Sequence, residues 1–473
     1  MQRYHTKIGG KPRPTAETAV VTNPYNGSPV GEVGVAADKD VEAAIECAVE
    51  AFAVTRRQPT HARVAVLERI ARTLEATAEE FAVLITRESG KPITASRAEV
   101  RRAVTTFSLA AAEARRFGGE LLPIDQQPGQ EGRLCVYKRV PRGPIAAISP
   151  FNFPLNLVAH KLAPALAVGA SMVLKAAQQA PLTAHLLSDV VDAAGAPPGA
   201  FNVLHCAPEL GELLVTDERL KVLSFTGSDT LGWRLKPLAG KKQVVLELGG
   251  NAPCVIDEGV DLDAVMPRLI EAAWTNAGQV CIKAQRVFVH RALFSEFAAR
   301  FVTATESVAV GDPMAAETLI GPLIEQKHVE RVLDWVREAE GQGARLLIGG
   351  RAEGPLVWPI VLTGTRADQR VRSREVFGPV TVVEPADDFE HALALANEGS
   401  YGLQASVLTP RVDHALRAYD VLDYGGVLIN EMPSFRADNY PYGGVRDSGF
   451  GREGVRFAME ELSEPKLLVL RPA

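Results

Sequence analysis

"GPIAAISPFNFPLNLVAHKLAPALAVGASMVLKAA", residues 143–177, decides the fold. A short, continuously apolar run at 144–149 is strand-like. A helix-length stretch follows, and "SMVLKA" is strand-like again. The alternation continues downstream. "LTAHLLSDVVDAAG" (182–195) precedes "FNVLHC" (201–206), and "PELGELLVTD" (208–217) precedes "KVLSFTG" (221–227). "SDTLGWRLKPLAG" (228–240) then leads into "KQVVLELGG" (242–250). Apolar strands separated by helices read as βαβ units, a parallel sheet covered on both faces. Right-handed crossovers make it an open, doubly wound sheet that binds ligands at the carboxyl ends of its strands.

A second alternating series begins near residue 251. It holds a helix before Cys281, strand "AQRVFVH" (284–290), helices over 294–308 and 329–340, and strands "RLLIG", "ASVLT" and "GGVLIN". Upstream, helical spacing covers 37–58, 61–89 and 95–117. Residues 119–140 carry turn residues between strand-like ends and read as a projecting hairpin. The tail "EPKLLVLRP" is strand-like, an edge another subunit could pair.

At 473 residues, two or three domains are expected. The net charge of -6 argues against a nucleic-acid partner. The five cysteines are scattered and never spaced as CxxC, so neither a disulfide framework nor a metal site is expected, and a reducing cytoplasmic setting is. The longest apolar stretch, 155–177, is interrupted by Asn156, His160, Lys161, Pro164 and Lys175, which excludes it as a membrane span.

Four positions point to chemistry. Cys281 follows Gly278-Gln279-Val280 at a helix-to-strand junction, where backbone amides face outward; its ordinary alternative is a small buried hydrophobe. Asn152, between Phe151 and Phe153, is a rigidly held donor at a sheet edge, or a helix cap. Glu247 lies inside an apolar strand, as a desolvated base or half of a buried ion pair. Gly227 and Ser228 open a helix after a strand, a place suited to pyrophosphate. Lys175 ends a strand of the same sheet, within reach of a ribose or simply solvated.

In order and content, "PFNFP", "VLKAA", "FTGS", "LELGG", "GQVC", "EVFGP" and "PYGGVRDSGFGREG" resemble the NAD(P)-dependent aldehyde dehydrogenase superfamily across essentially the whole chain. "FRADNYPYGG" looks most like the branch handling lactaldehyde and phosphonoacetaldehyde. The resemblance implies a three-part α/β fold: an NAD(P)-binding domain over 1–118 and 141–248, a catalytic domain over 249–440, and a small β oligomerisation arm over 119–140 and 455–473. It implies a homodimer or homotetramer. Cys281 is then the nucleophile, Asn152 and the Cys281 N–H the oxyanion donors, and Glu247 the base that hydrolyses the thioester. Lys175 and Gln178 would meet the adenine ribose, Gly227 and Ser228 the pyrophosphate, and Glu375 and Phe377 the nicotinamide riboside.

Two departures from the family pattern matter. Neutral Gln178 stands where many relatives carry a glutamate that repels a 2′-phosphate, so NAD is expected with NADP admissible. His160 replaces a bulky aromatic, and Arg436 precedes the glycine pair. Both suit a small polar or anionic aldehyde, with Arg101, Arg102 and Lys283 as further anion candidates. The alternatives are a surface salt bridge for Arg436 and a satisfied core histidine for His160. Two other functions stay open: an acylating dehydrogenase that transfers to coenzyme A, and a non-catalytic descendant of the fold.

Overall fold

A computed structural model describes residues 1–471. The strands expected from 144 to 250 form one sheet. Its parallel core runs Gln243–Glu247, Val222–Thr226, Ile145–Ile148, Met172–Lys175, Phe201–Leu204. In chain order this is 5-4-1-2-3. The order reverses between Ile145–Ile148 and Val222–Thr226, which is where a doubly wound sheet opens a crevice. These strands are mostly apolar because helices bury both faces, and Lys175, Thr226 and Glu247 fall at their carboxyl ends. The helix Asn156–Val168 is buried along its whole length and packs on Ile93–Arg116 and Thr60–Ala76.

The second series forms a seven-stranded sheet in the order Arg345–Ile348, Ile360–Thr363, Val380–Ala386, Arg286–His290, Pro253–Ile256, Gln404–Leu408, Gly426–Ile429. Only its first strand is antiparallel to its neighbour. After this sheet the chain returns to the first: Gly449–Phe450 pairs antiparallel with Gln243–Glu247, setting Gly449 opposite Glu247. Segment 431–454 therefore bridges both sheets beside the crevice.

Gly119–Leu121, Leu134–Pro141 and Ser463–Leu470 make a separate antiparallel sheet. The tail strand is hydrogen-bonded along one side to the chain's own Leu134–Pro141 and ends this sheet, so its other side is the edge read from sequence. Residues 455–462, grouped with the arm from sequence, instead form the helix Val455–Glu461, which puts Val455 and Met459 into the core of the first sheet. Residues 472–473, the end of the expected arm, lie outside the described residues. The first 35 residues, read only as an opening, contribute the sheet Gln2–Tyr4, Pro29–Val35, Glu17–Thr22 and two edge strands of the large sheet. Three of these five strands have only three residues, too few for an alternation to be detected.

Candidate active site

A cleft of about 750 Å³ opens at the carboxyl ends of the first sheet and is also lined by Cys281, Glu375 and Phe377 from the second series of elements. The further anion candidates Arg101, Arg102 and Lys283 do not line it, but Asn152, Glu247, Cys281, Lys175, Gln178, Gly227, Ser228, Glu375, Phe377 and Arg436 do, ten of the eleven residues given a site role from sequence. The exception is His160. Its ring is fully buried behind the wall, with Nε2 2.9 Å from Asp438 Oδ1 and Nδ1 unpartnered. As a lining residue of the substrate channel it is corrected. A histidine one turn along a completely buried helix has no route to solvent, and Asp438 engages its Nε2.

Cys281 reaches the cleft through unusual backbone. Asn276, Ala277 and Gly278 take left-handed conformations in succession (φ 55°, 55° and 68°). A non-glycine residue there costs roughly 1–2 kcal/mol, strain typical of functional sites. This turn ends the helix Leu262–Trp274 abruptly and lifts Cys281 to the cleft before Arg286–His290 begins. On the opposite side Gly250 lies so close that an added Cβ would sit 2.1 Å from the Cys281 carbonyl oxygen. Asn152 Nδ2 donates to the Gln279 carbonyl at 3.0 Å, tying the loop after the first strand to the cysteine turn. An amide has two N–H donors, so the second is free for a ligand oxygen.

Glu247 is buried with both carboxylate oxygens unpartnered. Burial drives its pKa well above the ordinary value, and the nearby Glu453 adds to this against Arg436, Lys161 and Arg452. Such a group is poised as a base rather than committed to a salt bridge. The ion-pair alternative is taken instead by Glu453. It accepts from Arg436 Nη2 at 2.9 Å and faces Lys161 Nζ at 3.4 Å, and these cations outweigh burial to hold it low. Lys161 also donates to Ser224 Oγ (3.0 Å) and Thr226 Oγ1 (2.7 Å).

The guanidinium of Arg436 is stacked over the Tyr442 ring at 3.7 Å, and the Tyr442 hydroxyl is 3.5 Å from Cys281 Sγ. Asp438 accepts from Arg102 Nη2 at 2.7 Å and from His160, so Arg102 is spent on the fold. The Lys283 amine donates to the Val380 carbonyl, and burial pulls its pKa down to about 7. Sequence reasoning missed Lys161, Tyr442 and Glu453. Lys161 had a signal, a lysine inside an otherwise apolar helix; the other two lie in motif strings without a chemical mark.

The remainder of the cleft fits a dinucleotide. The helix Asp229–Leu238 points its N-terminus into it, with Ser228 as the cap accepting from Leu231 N. Glu375 Oε1 accepts from Gly250 N at 3.0 Å, and burial raises its pKa to about 7. Phe377, itself at φ 45°, meets Phe151 edge-to-face at 6.0 Å and walls the passage toward Cys281. Gln178 stands by His205 at 3.5 Å, and Lys175 is largely buried in the same wall. Among the described residues no cluster of metal-ligating side chains occurs.

The chain is similar to known proteins over nearly its whole length. The model described as "Aldehyde dehydrogenase family" matches residues 12–468. The chain is 38% identical over 471 residues to the 3-sulfolactaldehyde dehydrogenase of Priestia aryabhattai, covering 99% of this chain and 98% of that protein. The crystal structure of aldehyde dehydrogenase 21 from Physcomitrella patens, in complex with the reaction product succinate, superposes with a TM-score of 0.98 at 40% identity, covering 99% and 98% of the two chains. Glyceraldehyde-3-phosphate dehydrogenase from Methanocaldococcus jannaschii, complexed with NADP, matches with a TM-score of 0.92 at 35% identity over 96% of this chain and 99% of that one.

Proposed function

The chain belongs to the aldehyde dehydrogenase family, and from that premise we propose that it oxidises a small anionic aldehyde to the acid, with Cys281 as nucleophile and Glu247 as hydrolytic base. The reaction class is NAD(P)-dependent aldehyde oxidation. Arg436 carries the choice of substrate: a guanidinium whose side chain is 6% exposed, on the wall of the cleft that holds Cys281. Glu453 takes one edge of it, and a desolvated cation with remaining donors favours a carboxylate, phosphonate or sulfonate. The substrates or products named for the three relatives are likewise anions.

The Cys281 thiolate adds to the aldehyde carbon. Asn152 Nδ2 and the Cys281 N–H receive the oxyanion, a role in which one donor is typically worth about 3–4 kcal/mol. NAD(P), when bound, would supply a hydride acceptor, and Glu375 and Phe377, which line the same cleft as Cys281, would hold its nicotinamide riboside. Glu247, its oxygens unengaged, then takes a proton from the water that cleaves the thioester. That free base favours hydrolysis over transfer to coenzyme A, and the joint presence of Cys281, Asn152 and Glu247 in one cleft favours an enzyme over a binding protein. Gln178 carries no charge against a 2′-phosphate, so we read NAD as preferred and NADP as accepted.

Five free cysteines suit a reducing cytoplasm. No helix among the described residues is long and apolar enough to cross a membrane. The exposed Leu467, Leu468, Val469 and Leu470 of the arm support assembly as a dimer or tetramer. An aldehyde panel with NAD and NADP tests the substrate class, using succinic semialdehyde, phosphonoacetaldehyde, glyceraldehyde 3-phosphate, lactaldehyde and propanal. The anionic members should show the highest kcat/KM; equal efficiency on propanal would overturn the assignment.

A further inference from the structure

Cys281 has an electrostatic problem. It is half-buried at the wall of the cleft, and the protein packed around it pushes its thiol up to about 11. A nucleophilic cysteine normally relies on a nearby cation or imidazole to lower that value. Here the charged groups facing it are Arg436 and Glu247 across the cleft and Glu375 on the cofactor side, two carboxylates against one cation. No lysine or histidine bonds to it, and Lys283, two residues on, turns its amine to the Val380 carbonyl. Among the described residues, the only side-chain hydrogen-bond partner of its sulfur is the Tyr442 hydroxyl at 3.5 Å.

We propose that Tyr442 is a catalytic residue whose hydroxyl donates a hydrogen bond to the Cys281 thiolate, and that Arg436, stacked on its ring, strengthens the bond. The direction follows from chemistry: a thiolate only accepts, so the phenol must be the donor. A cation 3.7 Å over the ring draws electron density from it and makes the hydroxyl a better donor. Tyr442 keeps its own proton, since burial and the adjacent Cys281 hold the phenol well above its ordinary value. On activation the S–H bond breaks and its proton leaves through the open cleft. When the thiolate adds to the carbonyl, the C–S bond forms, the carbonyl pair moves to oxygen, and the Tyr442 hydroxyl is released from a sulfur no longer charged. This inference rests on the reading of Cys281 as nucleophile.

The test is the pH dependence of iodoacetamide alkylation of the full-length protein, followed by peptide mass at Cys281. Tyr442→Phe removes one oxygen only. The alkylation midpoint should move to higher pH by about one unit, and kcat/KM at neutral pH should fall about tenfold, with NAD(P) affinity retained. An unmoved midpoint overturns the proposal. Should Tyr442→Phe fail to fold, replacing all eight tyrosines by 3-fluorotyrosine in wild-type protein makes the phenol a stronger donor. The midpoint should then fall, and no change overturns the proposal. Cys281→Ser separates the two readings: if it still forms NADH, the nucleophile assignment fails. If it is inert while Tyr442→Phe alkylates like wild type, only the role of Tyr442 fails.

Discussion

The Asn152 amide donates to the Gln279 carbonyl at 3.0 Å, linking the loop after the first parallel strand of one sheet to the turn that presents Cys281 from the other. The bond spans both domains at the point where they must agree to within hydrogen-bond length for an oxyanion to be held.

Asn152→Ala should therefore lower kcat by about 10²–10³-fold while leaving NAD(P) binding nearly intact. Steady-state rates alongside a cofactor-binding titration check this. A loss of affinity matching the loss of rate would make Asn152 a structural tie only.

Glu247→Gln should release one equivalent of NADH per Cys281 and then stall. Burial raises the carboxyl, so its base form is lost as pH falls through a range where an exposed glutamate stays ionised. Wild-type turnover should decline on that acidic limb, and the variant's residual rate should show no such limb. A pH–rate profile of the two proteins decides it.

Arg436→Gln should raise KM for succinic semialdehyde and phosphonoacetaldehyde by about tenfold or more and leave that for propanal within a factor of two or so. Equal effects on charged and neutral aldehydes would return Arg436 to the role of partner for Glu453.

Gln178→Glu should reduce kcat/KM with NADP by about tenfold or more relative to NAD, since a carboxylate would face the 2′-phosphate. Unchanged discrimination would place the determinant elsewhere on the wall formed with Lys175 and His205.

Much of this site was legible before any coordinates. The strands ending at Ile148, Lys175, Thr226 and Glu247 are largely apolar runs separated by helices, and a doubly wound sheet brings such strand ends to one edge. What stayed hidden depends on pairs far apart in the chain. Lys161 and Glu453 are 292 residues apart, and Tyr442 meets Cys281 across 161. No local spacing encodes either. His160 misled because its place in the motif is that of a channel residue, while Asp438, 278 residues on, captures its ring. The tail strand reads as an edge in sequence and stays one in the fold; what no local spacing encodes is its partner on the other side, Leu134–Pro141.

The central claim is that Cys281 carries the acyl group, and trapping it tests that claim directly. Glu247→Gln protein mixed with NAD and succinic semialdehyde, quenched in acid and digested, should yield the Cys281 peptide heavier by one succinyl group, in proportion to the NADH formed. NADH formation with an unmodified Cys281 peptide, or with the acyl group on another residue, would contradict it.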